Sequence, residues 1–286
     1  MLYRNFATQE DLDAQYNLLR LFPDAASLYE AFCARESEGV RQDLDHHLNE
    51  PFGPTLAEHV DLYPAGRDAP VLIYVHGGFW ALRTSKEFGF VARGPVSRGV
   101  ATVVTNYALC PAVTIDEIVR QTRAAVAWTY ENARSFGGDP ERIHVAGHSA
   151  GGHLVAMLLA TDWEGDYGLP AGIVKGATAV SGLFDLAPFP YTFLQPKVQL
   201  TWDQVRRNSP ILHVPEQASP LIVAYGENET DEFKRQSEDF LGTWKEKGHS
   251  GERLILSGKN HYDIVDGFID AGSPLLSGIL GQMGLE

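Results

Sequence analysis

The chain has 286 residues, 44% hydrophobic and 21% charged, a balance that provides for a substantial core and excludes a disordered or low-complexity protein. Its formal net charge of −14 argues against nucleic acid or an anionic membrane surface as a partner, because both call for basic patches. Two cysteines, Cys33 and Cys110, supply neither a disulfide framework nor a paired metal spacing.

The N-terminus, Met1-Leu2-Tyr3-Arg4-Asn5-Phe6, lacks the basic start and apolar core of a signal peptide. No uncharged run approaches the ~20 residues needed to span a bilayer, so a cytoplasmic protein is expected. Residues 1–50 mix acidic and apolar positions, as in Glu10 to Tyr16 and Ala26 to Phe32, and read as amphipathic helices. The pair His46-His47 falls in this segment and is expected on a helical surface. Pro51-Phe52-Gly53-Pro54 breaks the pattern, and Ala57 to Tyr63 then alternates like an early strand.

From residue 70 the chain becomes a regular α/β alternation. Strands are expected at 70–75, 100–106, 142–146, 174–180, 221–225 and 252–256, with a helix at 115–134 that Thr114 could cap. Short apolar strands separated by helical lengths mean a mostly parallel sheet covered on both faces. The expected fold class is therefore α/β, in one domain spanning 1–286. Residues 1–50 and 185–215 are expected to contribute to a small helical cap, and the proline- and aromatic-rich stretch 188–215 could act as a lid.

Two motifs at strand ends carry the chemistry. Gly147-His148-Ser149-Ala150-Gly151 lies between a buried strand and an apolar helix, where a tight turn lifts a serine hydroxyl clear of the sheet. Upstream, the strand 70–75 runs directly into His76-Gly77-Gly78-Phe79-Trp80. The N–H groups of Gly77, Gly78 and Ala150 are expected to form an oxyanion hole for acyl transfer. Cys110 ends a strand near this site and reads as a buried thiol, since Ser149 is the better nucleophile.

A serine hydroxyl needs a base, and the base needs an orienting acid. Of ten histidines, His261 alone falls just past the final strand. The strand 221–225 is followed by Glu227, Glu229 and Asp231, giving the order serine, acid, histidine of an α/β-hydrolase. Glu229 is preferred as the acid, Asp231 is the alternative, and Glu227 is third. Asp231 sits where helix capping would explain it, and Asp185 reads as a turn or cap residue. His148 is expected to pack beside the turn, and His153 either lines the pocket or satisfies a core hydrogen bond. A zinc site at these two histidines is not expected from their spacing. Phe79, Trp80, Tyr107 and Phe184, all at strand ends, are further candidates for the walls of an aromatic pocket.

These motifs resemble the arylformamidase (kynurenine formamidase) family, within the hormone-sensitive-lipase-like α/β-hydrolases. The matching stretches are His76 to Trp80, Asn106 to Pro111, Phe136 to Pro140, Gly147 to Gly152, Glu232 to Ser237 and Asn260 to Asp263. The resemblance implies Ser149 as nucleophile, His261 as base and Glu229 as acid, with no cofactor and no metal. Aspartate is frequent at the acid position, and Phe79 stands where the family often has tyrosine. The implied activity is hydrolysis of N-formylkynurenine in tryptophan catabolism. A short-chain carboxylesterase and a non-catalytic binding protein on the same scaffold are the alternatives. The expected partner is a small aromatic molecule, and a homodimer is left open.

Overall fold

A computed structural model describes residues 1–285. Its centre is an eight-stranded sheet in the order β1-β2-β4-β3-β5-β6-β7-β8. In chain order the strands are β1 (His47–Pro51), β2 (His59–Tyr63), β3 (Ala69–Val75), β4 (Ala101–Thr105), β5 (Gly138–His148), β6 (Val174–Val180), β7 (Leu221–Gly226) and β8 (Gly251–Leu256). β1 and β2 run antiparallel to their neighbours, and every pairing from β4 to β8 is parallel. β3 is buried at every residue, which explains its unbroken apolar run: helices cover both faces of a parallel sheet.

The register aligns the ends of the central strands. Val75 pairs with Thr105 on one side and Gly147 on the other, and Gly147 pairs with Ala179. The loops after β3, β5, β7 and β8 therefore open at one edge of the sheet, where ligands bind in open α/β folds. The helix Ile115–Asn132 starts as the sequence implies, with Thr114 Oγ1 accepting the Glu117 N–H at 3.4 Å.

The N-terminal segment forms helices α1 (Gln9–Tyr16), α2 (Leu18–Leu21) and α3 (Pro23–Asp43). One expectation there is corrected: the third helix stops at Asp43, and His47 opens the edge strand β1 rather than lying on a helix. An edge strand half-open to water needs no apolar alternation, so its sequence, His-Leu-Asn-Glu-Pro, carries little strand signal. Among the described residues no helix is long and apolar enough to cross a membrane.

Candidate active site

Ser149 sits between the last residue of β5 and the helix Ala150–Leu159, with φ 58° and ψ −119°. Such a backbone is uncommon for a residue with a side chain and is held by its surroundings. The Ser149 N–H donates to the Val180 carbonyl at 2.8 Å, tying the turn to β6. The helix also presses against β3, because a Cβ on Gly151 would fall 1.9 Å from the Val75 carbonyl oxygen. Only glycine fits that approach. Ala150 occupies the first helical position, whose N–H has no intrahelical acceptor and lies at the positive end of the helix.

The loop after β3 faces this turn. A Cβ on Gly77 would lie 3.0 Å from the Ser149 Cβ and 2.8 Å from the His148 carbonyl oxygen, so the loop backbone passes directly over the serine. His76 holds the loop in place. Its Nδ1–H donates to the Gly77 carbonyl at 2.8 Å, and its ring stacks on Tyr107 at 4.1 Å. Tyr107 in turn donates its hydroxyl to the His76 carbonyl at 2.8 Å.

On the other side, Glu229 Oε2 accepts from His261 Nδ1 at 2.9 Å, and the Glu229 side chain is fully buried. Its second oxygen accepts the Gly226 N–H at 2.9 Å and the Ser181 hydroxyl. With Nδ1–H committed to Glu229, the neutral His261 ring carries its lone pair on Nε2. The His261 ring packs between His148 at 4.6 Å and Phe233 at 4.3 Å. Ser149 and His261 line one pocket, together with Gly77, Gly78 and Phe79. α2 and α3 contribute Leu18, Leu19 and Tyr29 to its lining.

The other carboxylates are used elsewhere. Asp231 is exposed on the first turn of the helix Asp231–Glu246, whose N-cap is Thr230, and makes no hydrogen bond to His261. Glu227 accepts from Ser257 Oγ at 2.8 Å and the Gly258 N–H at 2.9 Å, pinning the loops after β7 and β8 together. Asp185 accepts the Tyr3 hydroxyl at 2.8 Å.

Of the five expected pocket walls, Phe79 alone lines the cavity. Trp80, Tyr107, His153 and Phe184 are buried behind it, and this corrects the expectation. Trp80 donates its indole N–H to His153 Nδ1 at 3.1 Å, and His153 Nε2–H donates to the Asn208 carbonyl at 2.8 Å. Phe184 stacks on Phe240 at 4.3 Å. Large aromatics at strand ends gain more from such contacts than from an open wall. Residues 185–215 also stay out of the cavity, and Phe193 supports Phe79 from behind with ring centroids 5.9 Å apart. Cys110 is buried, which pushes its thiol up to about 11 and keeps it protonated.

Sequence reasoning passed over Ser181, Tyr29 and Arg83. A serine directly after β6, beside the strand that leads to Glu229, was the available signal for the first. The other two come from the N-terminal helix and a loop, and no linear pattern links them to the site.

Burial lowers His76 and His153 from 6.5 to about 4, against the carbonyls of Gly77 and Asn208 that favour a proton on each. Burial, and then His261 beside it, lowers His148 well below its ordinary value. An unfolded chain takes up these protons near 6.5 and the folded one does not. Their contribution to stability is thus complete above about pH 6.5 and is lost as pH falls toward 4, by about 3 kcal/mol for each of His76 and His153. Unfolding at pH 5, followed calorimetrically in buffers of different ionisation enthalpy, is expected to take up about two protons or more. Uptake of less than one would contradict neutral buried imidazoles.

The parallel sheet, the serine turn and the glycine loop above it define an α/β-hydrolase of the esterase group, and the protein is a hydrolase. A family model described as BD-FAE matches residues 61–171. A kynurenine formamidase of Salmo salar is 32% identical over 259 residues, covering 87% of this chain and 84% of the relative. Among solved structures, a candidate thioesterase of Silicibacter sp. TM1040 superposes with a TM-score of 0.77 at 30% identity, over 88% of this chain and 92% of that one. An esterase of Pyrobaculum calidifontis shares the fold, with a TM-score of 0.72 at 19% identity over 94% of this chain and 98% of that one. The chain belongs to the kynurenine formamidase family.

Proposed function

We propose that Ser149, His261 and Glu229 form a catalytic triad and that the enzyme hydrolyses N-formylkynurenine to kynurenine and formate. Ser149 Oγ adds to the formyl carbon as His261 Nε2 takes its proton, and Glu229 stabilises the imidazolium. The N–H groups of Gly77, Gly78 and Ala150 receive the developing oxyanion. Collapse breaks the C–N bond, and His261 returns the proton to the departing aryl amine. Water, deprotonated by His261, then cleaves the formyl-serine, releasing formate. The observation that carries this reading is the buried Glu229–His261 hydrogen bond at the pocket that also holds Ser149, in a chain of this family.

A short-chain carboxylesterase is the second reading, favoured by the apolar side chains of Leu18, Leu19 and Leu82 in the lining. The two differ in acyl preference. Formyl is the smallest acyl group, so a site shaped for it should accept formyl and acetyl p-nitrophenyl esters and reject butyryl. N-Formylkynurenine is expected to exceed all of them in kcat/KM. A maximum at butyryl or longer, without formate release from N-formylkynurenine, would select the carboxylesterase.

A further inference from the structure

Arg83 is the one permanently charged side chain among the described residues that line the pocket of Ser149 and His261. Its side chain is only 16% exposed, and its guanidinium lies 5.7 Å from the centre of the Tyr29 ring. Nη1 donates to Glu87 Oε1 at 2.8 Å and Nη2 to Glu30 Oε1 at 2.9 Å. A guanidinium carries five N–H groups, and no other acceptor is found for the remainder among the described residues. The two carboxylates differ in standing. Glu87 also accepts the Thr84 N–H at 2.8 Å and so belongs to the turn that carries it. Glu30 is 58% exposed on α3, and Arg83 is its sole hydrogen-bond partner among the described residues. An ion pair this open to water contributes little, so a second carboxylate can replace Glu30 at small cost.

We propose that Arg83 receives a carboxylate carried by the leaving group of the substrate, taking the place that Glu30 holds on the guanidinium. The substrate class is then anionic aryl amides and esters whose side chain ends in a carboxylate. This rests on the acyl-transfer reading of the site given above. For an α-amino acid side chain, the released Glu30 carboxylate is free to meet the ammonium.

The test compares kcat/KM within two pairs that differ in charge alone. One pair is N-formylkynurenine and its α-carboxamide; the other is para-acetoxyphenylpropanoate and its carboxamide. The wild type is expected to favour the acid in each pair by about ten- to a hundred-fold, the range of a charge-assisted hydrogen bond. Arg83→Gln should erase the preference, and Arg83→Lys should keep part of it, as a point charge without the planar fork. Arg83 also ties α3 to the turn at Glu87, so loss of that tie alone would lower both members alike. That result, or a wild type indifferent to the carboxylate, overturns the proposal. Should Arg83→Gln not fold, the wild-type ratio and Arg83→Lys decide. If formate is not released but the acetoxy pair shows the preference, the formamidase reading fails and the role of Arg83 stands.

Discussion

Ser149→Ala is expected to lower kcat/KM by about 10⁴-fold or more while leaving the melting temperature nearly unchanged, because triad residues act as a unit. The substitution removes one oxygen from a residue that is 3% exposed. The turn is fixed by backbone contacts: the Ser149 N–H to the Val180 carbonyl, and the His153 N–H to the Ser149 carbonyl at 3.1 Å. Alanine keeps both, and its Cβ meets the same φ of 58° as serine does. Steady-state kinetics beside a thermal melt check both halves of the prediction. Activity within ten-fold of wild type in a preparation free of contaminating hydrolase would remove Ser149 from the mechanism.

The second large effect is expected at the proposed acid. Glu229→Gln preserves shape and volume but presents either an amide oxygen or an NH2 to His261 Nδ1. The amide must also accept from the Gly226 N–H and the Ser181 hydroxyl, which claim the other oxygen position in the native site. Its NH2 is therefore turned toward His261, where it makes Nδ1 an acceptor and moves the ring proton to Nε2. The base site is then blocked in the neutral tautomer, and a loss of about 10⁴-fold in kcat is expected. Asp231→Asn, at an exposed position without a bond to His261, should stay within about three-fold of wild type, as surface substitutions usually do. If Asp231→Asn proves the more damaging, Glu229 is not the acid and the hydrogen bond at Nδ1 has another role.

Both variants bear on residues that the sequence itself singles out. Strand ends gather function in open parallel sheets, so serine, acid and histidine could be sought after β5, β7 and β8 by position alone. The strand 174–180 coincides with β6, and the strands expected before Glu229 and His261 lie within a residue of β7 and β8. The aromatics were less readable. Phe79 and Trp80 are adjacent, yet one lines the cavity and the other is fully buried on His153. Composition and spacing treat them alike, because the same apolar area serves a pocket wall and a core.

The sequence by itself determined the parallel α/β layering, the strained serine turn, the glycine loop above it and the chain order of the candidate triad. Each depends on local periodicity or on glycines at positions where a backbone must pass close to its neighbour. Tertiary structure decided which of three carboxylates meets His261, since Glu227, Glu229 and Asp231 occupy one short loop and differ only in the direction each side chain takes. It also decided that helices α2 and α3, more than 100 residues before Ser149, line the pocket, and that Arg83 supplies its only permanent charge among the described residues. Those contacts join segments far apart in the chain. They are set by how helices pack on the finished sheet, and no pattern within a single segment records that.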